Sequence, residues 1–210
     1  MSYNTKLVRK ADLPKKWEDL LTNPRWKARN LALGNRPQLW AANLWGEKGE
    51  GWTGEFLRKL FTEVKPQLRK EGMGALPQLV AAGEIHAAIP SNHKRPHQLA
   101  SEGAPIGFAC PEPVPASAAD AVILKGAPNL YAAKVHLNWL LSTEGQIAQY
   151  AAGDHTPIHP QLRRSEFLPF AEEILGKQEA FLDKTLENEI VAKVEKLWND
   201  LWLKGSRKKP

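Results

Sequence analysis

The chain has 210 residues, 42% hydrophobic and 25% charged, an ordinary composition with core material for one large or two small domains. No run approaches the roughly eighteen apolar residues of a membrane helix, and a single cysteine, Cys110, excludes an internal disulfide. Lys and Arg exceed Asp and Glu by 29 to 23, but part of that excess is terminal, Lys204 and then Arg207, Lys208 and Lys209 of a solvated basic tail over 205–210, which argues no nucleic-acid partner.

In chain order, 3–8 is β-capable. Asp12 then caps an expected helix with Pro14 early and Trp17, Leu20 and Leu21 at i, i+3 and i+4. A strand over 31–34 leads through the corner Asn35-Arg36-Pro37-Gln38 into a helix that Gly46 and Gly49 to Gly51 are expected to break, and a second amphipathic helix follows over 52–61. A short strand over 67–69 is followed by a helix from Gly72 that ends at Gly83, where glycine suits a C-cap. A strand over 85–89, a helix near 95–102 and a strand over 106–109 complete an alternation that argues an α/β layer with a mostly parallel sheet.

The proline-rich 111–118 reads as a connection. Beyond it, 121–124 reads as a buried strand closed by Gly126 and Pro128. Asn129 stands at an N-cap position before Leu130, Ala133, Leu137, Leu140 and Leu141, with Val135 and Trp139 widening the arc so that the helix expects core on more than one side. Ser142-Thr143-Glu144 opens a new helix, a His-Pro loop spans 155–160, and helices are expected near 166–175 and 185–203. The last carries the stripe Leu186, Ile190, Val194, Leu197 and Leu201.

Several of these runs resemble one family. The strand, Gly-Ala-Pro-Asn corner, apolar helix and Ser-Thr-Glu-Gly-Gln break of 119–146 are similar to the return crossover of bacterial extracellular solute-binding proteins of ABC importers, in the Fe(III)-type branch of the two-lobed periplasmic binders. Also similar are Tyr3-Asn4-Thr5, the run Pro14, Trp17, Glu18, Asp19, Leu20, Leu21, Pro24, Trp26 and Lys27, the stretch 74–84, and Glu102-Gly103-Ala104-Pro105. The resemblance implies an α/β fold of the type II periplasmic-binding-protein kind. One complete α/β lobe with hinge strands would lie in 1–118, and the C-terminal helices of the other lobe in 119–204. It implies a truncated clamshell lacking the N-terminal part, a periplasmic or extracellular location, a membrane permease as partner and a small polar or anionic solute as ligand. No signal peptide is read in this chain, since Met1 leads straight into Ser-Tyr-Asn-Thr. Apolar helices after 119 without a sheet to cover predict dimerisation as a homo-oligomer, swapping or altered packing of the C-terminal part.

The family binds in the cleft, where strand ends and helix starts converge and unpaired N–H groups favour anions. Three corners qualify here: Asn35 with Arg36, whose guanidinium suits a bidentate clamp; Met73 and Gly74 at a helix start; and Ser91, Asn92 and His93 after the strand ending at Ile89. Tyr3 matches a position that faces the cleft in the family. Fe(III) binders of the branch use tyrosinates, often an adjacent pair in the loop matching Ser91-Asn92. That pair is absent, so iron is rejected and no metal is expected.

His93 and His97, like His155 and His159, have i, i+4 spacing, but without a following Glu or a cysteine they read as surface histidines. Cys110 has no neighbouring His or helix start to activate it, and no P-loop, G-x-G-x-x-G or G-x-S-x-G occurs, so no cofactor and no catalysis are expected. The alternative is a cytosolic α/β ligand sensor or an enzyme of unknown reaction.

Overall fold

An apolar run without polar alternation, such as 31–34, belongs in a strand covered on both faces. In the computed structural model, which describes residues 1–27, 29–117, 120–153 and 155–206, this run is β2 (Leu31–Gly34) of a five-stranded sheet. Its companions are β1 (Ser2–Asn4), β3 (Gln67–Arg69), β4 (Ala87–Ile89) and β5 (Ile106–Phe108), in the order β3-β2-β4-β1-β5. Strands β3, β2 and β4 run parallel. β1 is antiparallel to both β4 and β5, so β5 points the same way as the parallel three. The register sets Leu33 beside Ile89, Gly34 beside Arg69, and Tyr3 between Ala87 and Gly107.

The helices are α1 (Asp19–Thr22), α2 (Ala41–Lys59), α3 (Ala75–Ala81), α4 (Lys94–Ser101), α5 (Leu130–Leu140), α6 (Thr143–Gly153), α7 (Arg164–Phe167) and α8 (Glu187–Ser206). A separate parallel pair is β6 (Val114–Ala116) with β7 (Glu179–Phe181). Two bodies result: residues 1–117 with 172–206, and residues 120–171.

In the first body, Ala32, Ala88 and Ile106 cluster with Leu76 and Val80 of α3 and Leu99 of α4. The other face, with Leu31, Leu33, Ala87 and Ile89, joins a larger cluster containing Leu44, Phe56 and Leu57 of α2 and Val194, Trp198 and Trp202 of α8. Each fully buried Leu or Ile here contributes about 1.5–3 kcal/mol of transfer free energy. Asn4 locks β1 to α3: its Nδ2 donates to Val80 O at 2.8 Å, and its Oδ1 accepts from Lys6 N and Leu7 N at 2.9 and 3.2 Å. Asn43 on α2 holds the β6–β7 pair by donating to Ala116 O at 2.5 Å and Ala180 O at 3.1 Å.

The sequence assigns 172–204 to the C-terminal helical part; in the structure this stretch packs with 1–117. The reason lies in α8. Its buried face runs through Val194, Trp198 and Trp202, with Ile190, Leu197 and Leu201 of the expected stripe half-buried against the same core and only Leu186 exposed. Trp198 meets Trp40 and Phe61 edge-on, with ring centroids at 6.1 and 5.2 Å, and stacks on Trp202 at 6.0 Å.

Other departures have local causes. The helix expected from Asp12 shrinks to α1, because Asp12 is held by Arg9 at 2.9 Å while the Asp19 carboxylate accepts from Lys15 N and Lys16 N. The break expected at the glycines does occur, at Gly49, whose φ of 83° is a backbone that glycine accepts without strain, so α2 is two helical pieces meeting at a kink; Gly46 and Gly51 do not add a second one.

In the second body, 121–124 is not a strand. Val122 and Leu124 are 76% and 74% exposed, and the described residues of 120–171 contain no strand at all. Helix α5 forms where expected but buries none of its residues, so its apolar arc faces no core. Asn129 makes no side-chain cap, whereas Ser142 opens α6 by accepting from Gly145 N at 3.1 Å. Gln146 holds the 155–160 loop, its Oε1 accepting from Ile158 N at 2.7 Å and His159 N at 2.9 Å. Ala119, the first residue of the 119–146 run, and the tail residues 207–210 lie outside the described residues.

Candidate functional site

Parallel strands place all their carboxyl ends on one edge of a sheet, where the loops that follow converge. Here that edge collects the residues after β3, β2, β4 and β5 together with the start of β1. Adjacent strands lie about 4.8 Å apart, so the corner after β2 and the corner after β4 are immediate neighbours. A Cβ on Gly34 would stand 3.3 Å from the Pro90 ring, which gives the separation directly. The structure thus brings Asn35 and Arg36 beside Ser91, Asn92 and His93.

Each side chain has its own degree of commitment. Asn35 is exposed, yet its Oδ1 accepts from the buried Trp198 indole at 2.8 Å, which leaves its amide nitrogen for other use. Arg36 is exposed and its guanidinium makes no hydrogen bond or ion pair among the described residues; its backbone N–H closes the corner onto Gly34 O at 2.9 Å. Ser91 Oγ donates to Asn92 O at 3.1 Å, and Asn92 Oδ1 accepts from Arg95 N at 3.4 Å at the start of α4. His93 lies edge-on to Phe108 with centroids 6.4 Å apart, tying the β4 corner to the end of β5.

One strand further out, Met73 is half-buried and Gly74 exposed, in a turn whose Gly72 carbonyl accepts from Ala75 N and Leu76 N. Sequence reasoning passed over the ion pair beside them, Arg69 to Glu71 at 2.8 Å. Backbone hydrogen bonding at Glu71, with Arg69 nearby, holds that carboxyl below its ordinary value. The spacing Arg-x-Glu across the end of a strand is the only sequence signal for it.

Tyr3 is committed to the sheet interior. It is 5% exposed, pairs with Ala87 two residues short of the β4 end, and lays its ring across Gly107, where a Cβ would come within 2.6 Å of it. Burial, then Glu173 and Glu172, push its phenol pKa upward, so the group stays protonated at neutral pH.

Among the described residues no group of three or more His, Cys, Asp or Glu is arranged to hold a metal ion. His159 Nδ1 is engaged as the acceptor of Gln161 N at 3.2 Å. Cys110 is buried and its thiol pKa is raised by that burial, the opposite of what a nucleophile needs. No helix among the described residues is long and apolar enough to cross a membrane.

No protein-family model matches the chain, and no curated protein matches it. Solved structures do. Iron-bound HitA from Pseudomonas aeruginosa superposes with a TM-score of 0.73 at 22% identity, covering 95% of this chain and 65% of that one. The periplasmic binding protein P5PA gives 0.63 at 22% identity over 95% of this chain and 64% of its own. The substrate-binding protein of an ABC transporter from Agrobacterium tumefaciens gives 0.65 at 12% identity over 96% and 64%. The chain spans about two thirds of the length of these neighbours, and over that span it has the fold of periplasmic substrate-binding proteins of ABC transporters.

Proposed function

We propose that this chain is the solute-binding component of an ABC importer, or the greater part of one. It captures a small polar or anionic solute at the carboxyl edge of its sheet and passes it to a membrane permease from the periplasmic side. The reaction is binding, without covalent chemistry. The observation that carries the reading is Arg36, an unengaged guanidinium at the carboxyl end of β2, one strand from Ser91, Asn92 and His93. Its planar fork pairs with a carboxylate or phosphate, and the neighbouring amide, hydroxyl and imidazole groups add directional hydrogen bonds.

Iron fits this edge poorly. Ser91 and Asn92 stand where a tyrosinate pair would serve, and Tyr3, the tyrosine carried by the sheet itself, is buried with a raised pKa. Hard Fe(III) needs anionic oxygen ligands that these side chains do not supply.

A thermal-shift and calorimetric screen over phosphate, phosphonates, carboxylates, sugars, polyamines and Fe(III) citrate tests the reading. A true solute present at a hundredfold excess over its Kd stabilises the chain by about 2.7 kcal/mol. Arg36→Ala should abolish that shift while leaving the ligand-free melting temperature unchanged. Stabilisation by Fe(III) citrate alone, or an anion shift that survives Arg36→Ala, would overturn it.

A further inference from the structure

The loops that follow β2, β3 and β4 concentrate positive charge. Over 35–38, 69–74 and 90–95 stand Arg36, Arg69, Lys70, Lys94 and Arg95 against a single acid, Glu71. Five cations less one acid place +4 on this carboxyl edge, in a chain whose total is +6. An excess of that size suits a ligand with more than one negative charge.

Arg69 ends β3 beside Gly34, and Arg36 stands two residues beyond Gly34. Strands about 4.8 Å apart, with a rise of about 3.3 Å per residue, bring the two arginine Cα atoms within roughly 8 Å. Both guanidiniums can therefore close on one small molecule. Leu68, Arg69, Lys70 and Glu71 line an open concavity of about 520 Å³ at the end of β3.

Arg69 is under-satisfied as it stands. Its Nη2 meets Glu71 Oε1 at 2.8 Å, while its Nε is buried with no acceptor among the described residues. The two side chains are 27% and 37% exposed, and ion pairs this open hold weakly. An oxyanion that displaces Glu71 can turn the guanidinium and accept from Nε and Nη2 together.

Building on the solute-binding reading above, on which this depends, we infer that the solute is a dianion gripped jointly by Arg36 and Arg69. Glu71 is the internal competitor that holds Arg69 until the solute takes its place. A phosphoryl group and a dicarboxylate share this chemistry, the first with both charges on one centre and the second with them apart.

Calorimetric titration of the full chain at pH 8 with inorganic phosphate, succinate and acetate tests it. One of the two dianions should bind about tenfold or more tighter than acetate, and which one assigns the phosphoryl or the dicarboxylate form. Arg69→Met, which keeps the aliphatic stem, should erase that advantage and leave acetate binding unchanged. Glu71→Gln should tighten the dianion by about threefold, a gain of affinity that misfolding does not produce. Acetate binding as tight as either dianion overturns the inference while the solute-binding reading stands. So does a dianion indifferent to Arg69→Met and not tightened by Glu71→Gln. Failure of every anion, or binding indifferent to Arg36→Ala, overturns both.

Discussion

Trp198 joins the last helix to the corner that presents Arg36, and its partnership with Asn35 makes a measurable claim. Trp198 is fully buried among Trp40, Phe61 and Trp202, and its indole N–H donates to Asn35 Oδ1 at 2.8 Å. Trp198→Ala should cost about 3–5 kcal/mol, the range for deleting a buried aromatic. Against a total stability of about 5–15 kcal/mol, that is a large share.

The sharper test uses asymmetry. Asn35 is exposed, so truncating an ordinary surface asparagine would cost within about 0.5 kcal/mol. Asn35→Ala here strands a buried indole donor and should cost about 1–3 kcal/mol. In a Trp198→Phe background the donor is gone and the same truncation should be nearly neutral. Urea unfolding followed by far-UV circular dichroism on the four members of this cycle gives the coupling directly. Additivity within about 0.3 kcal/mol would refute the contact and, with it, the packing of α8 onto the β2 corner.

Three further outcomes are expected. Asn4→Ala removes the donor to Val80 O and the acceptor of Lys6 N and Leu7 N, and should lower stability by about 2–4 kcal/mol in the same unfolding assay. Gly145→Ala drives a Cβ into Trp139 O; the α5–α6 corner must open, and amide exchange across 130–153 should accelerate while the five-stranded sheet keeps its protection. The Cys110 thiol, buried and with its pKa raised, should react with an aromatic disulfide reagent at pH 8 far more slowly in native buffer than in urea. Because its folded pKa lies above the unfolded one, its contribution to stability is fully present at neutral pH and falls as pH rises through the unfolded value near 9.0. Fast native labelling at pH 8 would contradict the burial.

What was readable in the residues was local. The strands at 31–34 and 67–69 fall where their composition puts them, and the corners Asn35-Arg36 and Ser91-Asn92-His93 follow from strand-then-helix punctuation. The 121–124 run failed for a relational reason: a strand exists only beside another, and no described residue of its body offers one. Helix α5 shows the same limit, since periodicity reports an apolar face but not what lies opposite. Trp198 and Asn35 are 163 residues apart, and nothing in either neighbourhood announces the other. Tyr3 fits the YNT resemblance, but its burial depends on Gly107, a residue that carries no side-chain signal.

The place of β1 has a consequence for how the molecule assembles. Ser2 pairs with both Ala88 and Phe108, so the strand formed by the first residues of the numbering is wedged between two that come last in the sheet. A chain emerging from the ribosome can set β2 beside β3 and then β4, because those pairings follow sequence order. The segment that forms β1 has no partner until β4 is made, and its second flank is closed only when residue 108 appears. Closing so long a loop is entropically slow, and the exposed flank of β4 in the interim offers a stray strand an opening. Folding of this lobe should therefore be gated by insertion of three residues, and a chaperone that shields that flank would act on the rate of assembly more than on the final stability.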